Sequence, residues 1–278
     1  MRSIMTARKH TEVSVDDIRA IDVHGHYGIY RRRTFLPIKN RFMTGDVSVV
    51  VARAKQANTE WTIVSPLKGL MPRFEADAVT GNKEAARIVP KTDGLFQWVI
   101  VNPLQPETYR QAAVMLRHPK CRGIKIHPEE HGYPIKKHGR AIFQFAAKHR
   151  AIVLTHSGEQ NSLPSDFIPF ANDFPEMRLI LAHLGCGWDD DPTHQVRAIQ
   201  RSKRGNVFVD TSSAQSIMPG LIEFGVRELG AERLLYGTDT PLYVASMQRV
   251  RIDRAGISVK AKRLILRDNA VKLFGLKE

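Results

Sequence analysis

The chain has 278 residues, 42% of them hydrophobic, enough to bury one core of barrel size. Its 42 Lys and Arg against 28 Asp and Glu leave a net charge of +14. The only tight basic run is Arg31-Arg32-Arg33, while Arg197, Arg201, Lys203, Arg204, Lys260, Lys262 and Arg263 spread along helix-length segments as solvated faces. That spread reads mostly as solvated surface and gives little support to an acidic lipid or a small anionic substrate; the expected partner is a small molecule, with neither nucleic acid nor a membrane expected.

Met1 to Arg19 carries charges and no apolar stretch, so it is expected to be an N-terminal extension, neither signal peptide nor span, of a cytoplasmic protein. The first strand-like run, Ala20 to Val23, is closed by His24-Gly25-His26. Later runs are Trp61–Val64, Leu95–Val101, Gly123–Ile126, Ala151–Leu154, Arg178–Ala182, Asn206–Val209 and Leu234–Tyr236. Most are short, β-branched and bounded by Gly, Pro or Asn, as strands covered on both faces are. Between them lie segments with apolar spacing near that of a helix, such as Val47-Val50-Val51-Ala54, Ile142-Phe143-Phe145-Ala146 and Ile217-Leu221-Ile222-Phe224. A final helix is expected over Val259–Phe274, within a C-terminal addition of residues 259–278.

Strand then helix, eight times, predicts an α/β protein with a single-domain (β/α)8 TIM barrel. The alternative, an open doubly wound sheet, would carry a Gly-rich phosphate loop after its first strand, which Gly25 and Gly28 do not make. Cys121 and Cys186 cannot build a disulfide framework and are expected as reduced thiols.

A barrel enzyme carries its chemistry at the carboxyl ends of its strands. Strand one ends in His24 and His26, which lie two apart and project from one face; strand four ends in Lys125 and His127, five in His156, six in His183 and eight in Asp239. Imidazoles with a carboxylate suit Zn²⁺ and equally Fe²⁺, Mn²⁺ or Co²⁺. Arg31 to Arg33 follow the first strand directly, so one of them, with Arg31 the chosen candidate, is placed to reach a carboxylate or phosphate of the substrate, with His127 as a second substrate contact. Glu129, Glu130, His131 and Tyr133 after strand four, and Cys186 and Trp188 after strand six, are further loop candidates. His10, His118, His138, His149 and His194 fall on the tail or on helices and their ends, away from the expected mouth.

With these residues in view, the chain resembles the amidohydrolase superfamily, and within it the branch related to aminocarboxymuconate-semialdehyde decarboxylase. The resemblance runs nearly end to end. It is carried by Ile21-Asp22-Val23-His24-Gly25-His26, Val153-Leu154-Thr155-His156, Leu179-Ile180-Leu181-Ala182-His183-Leu184-Gly185, Tyr236-Gly237-Thr238-Asp239-Thr240-Pro241 and Asn269-Ala270-Val271-Lys272-Leu273-Phe274-Gly275. It implies that His24, His26, His156 and Asp239 hold a divalent metal, with zinc the leading ion. It also implies that His183 acts on the substrate or on a second metal and that Asp22 supports the site from behind. It leans toward a homo-oligomer.

Gly123-Ile124-Lys125-Ile126-His127 departs from the one-metal branch and resembles strand four of urease and related two-metal enzymes, whose lysine is carbamylated to bridge the ions. Lys125 either does the same or keeps its charge for a substrate anion, Glu129 or Glu130.

The main expectation is therefore a metal-dependent hydrolase, in which an activated water attacks an amide, lactone or ester carbonyl. Asp239 would take and return the proton, and His183 or His127 would steady the oxyanion. The alternative is a metal-dependent, non-oxidative decarboxylase in which Asp239 or His183 delivers a proton to carbon. Two further readings, a metal-dependent deoxyribonuclease and a barrel that binds without turnover, rank below these. The first lacks the Gly-Glu-x-Gly signature on strand four, where Lys125 stands.

Overall fold

Short β-branched runs that are buried on every side can satisfy their backbone only by pairing edge to edge. In a computed structural model, which describes residues 14–212 and 217–276, they do so as eight strands. These are β1 (Ala20–Tyr27), β2 (Thr59–Pro66), β3 (Leu95–Ile100), β4 (Cys121–Ile126), β5 (Ile152–Thr155), β6 (Arg178–Leu181), β7 (Val207–Asp210) and β8 (Leu234–Leu235). Each pairs in parallel with the next, and helices fill the crossovers, giving the predicted (β/α)8 barrel. Residues 1–13 of the expected extension, His10 among them, and residues 277 and 278 lie outside the described residues.

The seam between β8 and β1 closes the barrel. Because β8 is only two residues long, the closure runs past its end: Val23 N donates to Tyr236 O at 2.9 Å, Asp239 N to His24 O at 2.7 Å and His26 N to Thr240 O at 2.6 Å. β1 is longer than its apolar run suggested and carries both histidines inside the strand. Gly25 is dictated by space, since a Cβ there would come within 2.5 Å of Thr62 Cγ2.

Helix starts follow ordinary capping chemistry. The Asp46 carboxylate accepts from the backbone N–H of Ser48 and Val49 before helix Val47–Gln56, and Asp77 does the same for Val79 and Thr80 before helix Ala78–Ile88. One expected helix begins later than predicted. Ile217 is exposed and helix Leu221–Leu229 starts only after Gly220, whose φ of +78° breaks the helical path.

The terminal helix forms over the expected residues, with a π-turn at Leu264–Asp268 between α-helical Val259–Arg263 and Asn269–Phe274. The wider turn leaves the Ile265 carbonyl free to accept from Tyr236 N at 3.0 Å, so the helix extends the pairing of the shortest strand. At the bottom of the barrel Phe274 meets Trp98 edge-on, with ring centroids 5.6 Å apart, and the Trp98 indole donates to Val23 O at 2.9 Å. Ile21, Ile63, Leu154, Ile180 and Leu235 pack into the same cluster. Among the described residues no helix is long and apolar enough to cross a membrane.

Because Phe274 is the plug of this interior layer, Phe274→Ala should lower stability by about 3 kcal/mol through the cavity it leaves. Urea unfolding followed by tryptophan fluorescence checks this; a loss below about 1 kcal/mol would show that the lower layer does not depend on the C-terminal segment.

Candidate active site

At the opposite end, the carboxyl ends of the strands bring their polar residues into one buried group. His24 Nε2 and His26 Nε2 approach Asp239 Oδ1 at 3.5 and 2.9 Å, and the ligand atoms of this trio all lie within 4.8 Å of one another. Lys125 Nζ donates to His24 Nε2 at 2.8 Å. His183 Nε2 faces His156 Nδ1 at 3.1 Å, and the His156 ring stacks on His127 with centroids 4.3 Å apart. His183 and Asp239 both hold left-handed backbone, with φ of +71° and +59°, which costs free energy and is concentrated in proteins where side-chain aim matters.

Behind the rings stands a second layer of oxygens. The Asp210 carboxylate accepts from His24 Nδ1 at 2.9 Å and from the backbone N–H of His183 and Ser212. Ser212 Oγ lies 2.8 Å from His183 Nδ1, Ser65 Oγ 2.8 Å from His26 Nδ1, and Glu159 Oε1 accepts from His156 Nε2 at 2.8 Å. Every outward ring nitrogen therefore has an oxygen able to take its proton. With those protons outward, His24 and His26 turn lone pairs toward Asp239 Oδ1, and His156 and His183 turn theirs toward each other. Two bare imidazole nitrogens 3.1 Å apart repel unless a cation takes up their lone pairs. The donor set thus fits a divalent metal, and its backing oxygens are those that orient metal-binding histidines. His24, His183 and Asp210 form a second trio within 4.8 Å, joined behind the rings through Ser212.

Burial and charge set the protonation states. Burial works to raise the Asp239 and Asp210 carboxyls, but the adjacent imidazoles, His24 foremost, overcome it and hold both well below the usual carboxylate range. Burial pushes His26 down to about 4 and keeps His127 and His183 well below an ordinary histidine. It also pulls Lys125 down to about 8, against the attraction of Asp239 and Asp210. Asp22 accepts from His24 N and from the backbone and hydroxyl of Thr238, while its burial pushes its pKa up to about 8.

His24, His26, Lys125, His127, His156, Glu159, His183 and Asp239 line a cavity of about 160 Å³ whose other walls are Tyr30, Arg32, Met43, Met71, Glu130, Cys186, Leu242 and Tyr243. His127 Nδ1 accepts from Glu130 N at 3.3 Å, which leaves its proton on Nε2. A larger hollow of about 1110 Å³, near Phe208, Leu273 and Phe274, lies at the bottom of the barrel, away from the strand ends.

A family model described as Amidohydrolase matches residues 21–276. The chain belongs to the amidohydrolase family. No curated protein matches it in sequence. Among solved structures, this amidohydrolase is similar to 2,6-dihydroxybenzoate decarboxylase from Rhizobium, with a TM-score of 0.72 at 13% identity over 92% of this chain and 98% of the other. It is similar to 5-carboxyvanillate decarboxylase from Sphingomonas paucimobilis, with a TM-score of 0.67 at 14% identity over 94% and 100%. A third likeness is to a dihydroxybenzoic acid decarboxylase from Polaromonas sp. JS666 with bound manganese, with a TM-score of 0.70 at 13% identity over 92% and 96%. At such identities the likeness shows the fold, and it agrees with the superfamily read from the motifs.

The amidohydrolase barrel brings together His24, His26, Lys125, His127, His156, His183 and Asp239, all predicted from strand ends. The predicted Arg31 is a correction. It is exposed and borders a separate depression with Gly28, Lys68 and Glu75. Arg32 lines the mouth instead, because its Nε donates to Tyr30 Oη at 2.9 Å and its guanidinium to Glu130 at 2.8 Å. Of the loop candidates, Glu130 and Cys186 line the cavity. Glu129 is turned to Asn161, His131 to the Gly69 carbonyl, Tyr133 is buried elsewhere and Trp188 is exposed. Burial pushes the Cys186 thiol up to about 11, which leaves little thiolate at neutral pH. Asp210, Ser212, Ser65 and Glu159 were missed. Asp210 carried a usable signal, because it closes β7 as Asp239 follows β8.

Lys125 gives this site a pH signature. Its amine loses its proton near pH 8 when folded, against 10.5 for the ordinary group, so between those values the unfolded chain binds more protons. The burial penalty is full below pH 8 and relieved as pH rises through that window. In chelator-treated protein, stability relative to Lys125→Met should therefore climb between pH 8 and 10.5, measured by urea unfolding at several pH values. A flat or falling difference would show that Lys125 is not held in a destabilised charged state.

Proposed function

We propose that this amidohydrolase is a metal-dependent, non-oxidative decarboxylase of a small aromatic carboxylic acid. The observation that carries this reading is the joining of two unlike sets of side chains in one cavity. One is the imidazole and carboxylate set, and the other is Tyr30, Met43, Met71, Leu242 and Tyr243 with Arg32, itself paired to Glu130. A flat apolar ring bearing a carboxylate suits the second set for its faces and the first for its polar edge. The decarboxylases of similar fold support this reading over hydrolysis.

His24, His26, His156 and Asp239 would hold the metal. Bound there, it supplies Lewis-acid polarisation of a substrate oxygen. Zinc and manganese both suit nitrogen donors with one carboxylate, and manganese is the ion in the Polaromonas decarboxylase. Arg32 meets the substrate carboxylate from the mouth side, and His127 donates its Nε2 proton to a substrate oxygen. Asp239, held ionised, takes a proton from an acidic hydroxyl of the substrate and hands it to the carbon that bears the carboxylate. The bond to the carboxyl carbon then breaks, CO₂ leaves and the electron pair returns to the ring. His183, kept neutral by burial, lies beside Asp239 and can share that proton.

Incubating the manganese-loaded protein with hydroxybenzoates and with aromatic lactones separates the two chemistries, because substrates lose the elements of CO₂ in one and gain those of water in the other. Loss of CO₂ is expected, with Asp239→Asn slower by at least about 100-fold. Water addition without CO₂ release would overturn the decarboxylase reading.

Hydrolysis keeps one observation in its favour, the lowered pKa of Lys125 beside His24, which supplies the neutral amine that carbamylation by CO₂ needs. In that reading a carbamylated Lys125 would add a carboxylate able to hold a second ion. Elemental analysis of protein prepared with bicarbonate and metal should then give two ions per chain, falling to one in Lys125→Ala. The decarboxylase reading expects one ion in both.

A further inference from the structure

We propose that Glu159 is a positioning residue, which holds His156 in the tautomer that leaves Nδ1 bare toward the centre of the site. The proposal rests on the reading above that His156 helps to hold a divalent ion. Glu159 follows His156 by three residues, and the intervening turn is fixed. Ser157 Oγ donates to Ala182 O at 2.6 Å, Gly158 N to Ser162 O at 3.0 Å and Trp188 N to Gly158 O at 2.8 Å. A Cβ on Gly158, whose φ is +112°, would overlap the Cys186 carbonyl. The turn therefore presents the Glu159 carboxylate to the ring from a backbone tied to the loop after β6.

An ionised carboxylate can only accept, so its 2.8 Å contact with His156 Nε2 places the ring proton on that nitrogen. Nδ1 is then a lone pair, aimed at His183 Nε2 3.1 Å away. Stacking on His127, with planes 10° apart, fixes the ring plane while leaving the tautomer to the carboxylate. Without an acceptor at Nε2, the proton can move to Nδ1 and bond to His183, closing the pair against a cation. Asp210, Ser65 and Ser212 serve the other three rings from buried positions, whereas Glu159 is half-buried at the mouth and can be replaced without opening the core.

The test compares wild type, Glu159→Ala and Glu159→Gln as full chains. Mn²⁺ affinity is read by competition with a chromophoric chelator, and the histidine tautomers by ¹⁵N spectra of metal-free, histidine-labelled protein. Glu159→Ala should bind Mn²⁺ about 10–100-fold more weakly and move the His156 proton from Nε2 toward Nδ1. Glu159→Gln, whose amide oxygen still accepts from Nε2, should stay within about threefold of wild type and keep the tautomer. Unchanged affinity and tautomer in Glu159→Ala, or equal losses in both variants, would overturn the proposal. Equal losses would mean that charge rather than tautomer matters. A wild-type protein that takes up no Mn²⁺ would instead remove the metal reading beneath it, and the spectra alone would then decide whether Glu159 sets the tautomer.

Discussion

The seam between the last strand and the first is the constraint on which the rest of this molecule depends. A parallel barrel must join its two edges, and here the eighth strand is too short to do so by itself. The joining hydrogen bonds therefore run into the segment that carries Asp239 and fasten it to the backbone of His24 and His26. Closure of the fold and convergence of the site are one event. The same bonds that remove the exposed sheet edges bring a carboxylate against two imidazoles, 2.9 Å away at the nearest.

Such a cluster is costly to bury, and the structure meets the cost by layering. Ring nitrogens that face inward on His24, His26, His156 and His183 are backed by oxygens at the opposite nitrogen, so that each of these four rings has an acceptor for its proton. Charge follows the same logic, with the Asp210 and Asp239 carboxylates held ionised near His26 and His183, which burial keeps neutral. The left-handed backbone at His183 and Asp239 belongs to this balance, since the surrounding hydrogen bonds hold both residues in conformations that neither would choose in isolation.

Much of this was legible in the sequence because barrel geometry converts chain position into spatial position. His24, His26, Lys125, His127, His156, His183 and Asp239 stand at the carboxyl ends of runs separated by helices, and any such residues must meet. Asp210 obeys the same rule and was readable on the same ground. What the sequence hid depends on side-chain direction within loops. Nothing in Arg31-Arg32-Arg33 says which guanidinium turns inward; that is settled by Tyr30 and Glu130, the latter distant in the chain. The late start of helix Leu221–Leu229 turned on the conformation of a single glycine, which apolar spacing cannot reveal.

The π-turn in the terminal helix bears on how this protein is made. Its freed carbonyl pairs with Tyr236, and the residues after it plug the barrel floor against Trp98. During synthesis, then, the strands and every residue of the site emerge from the ribosome before the piece that locks them. Until Tyr236 to Thr240 have emerged the bonds that join the last strand to the first cannot form, so the nascent sheet keeps unpaired edges, the feature that exposes a chain to aggregation.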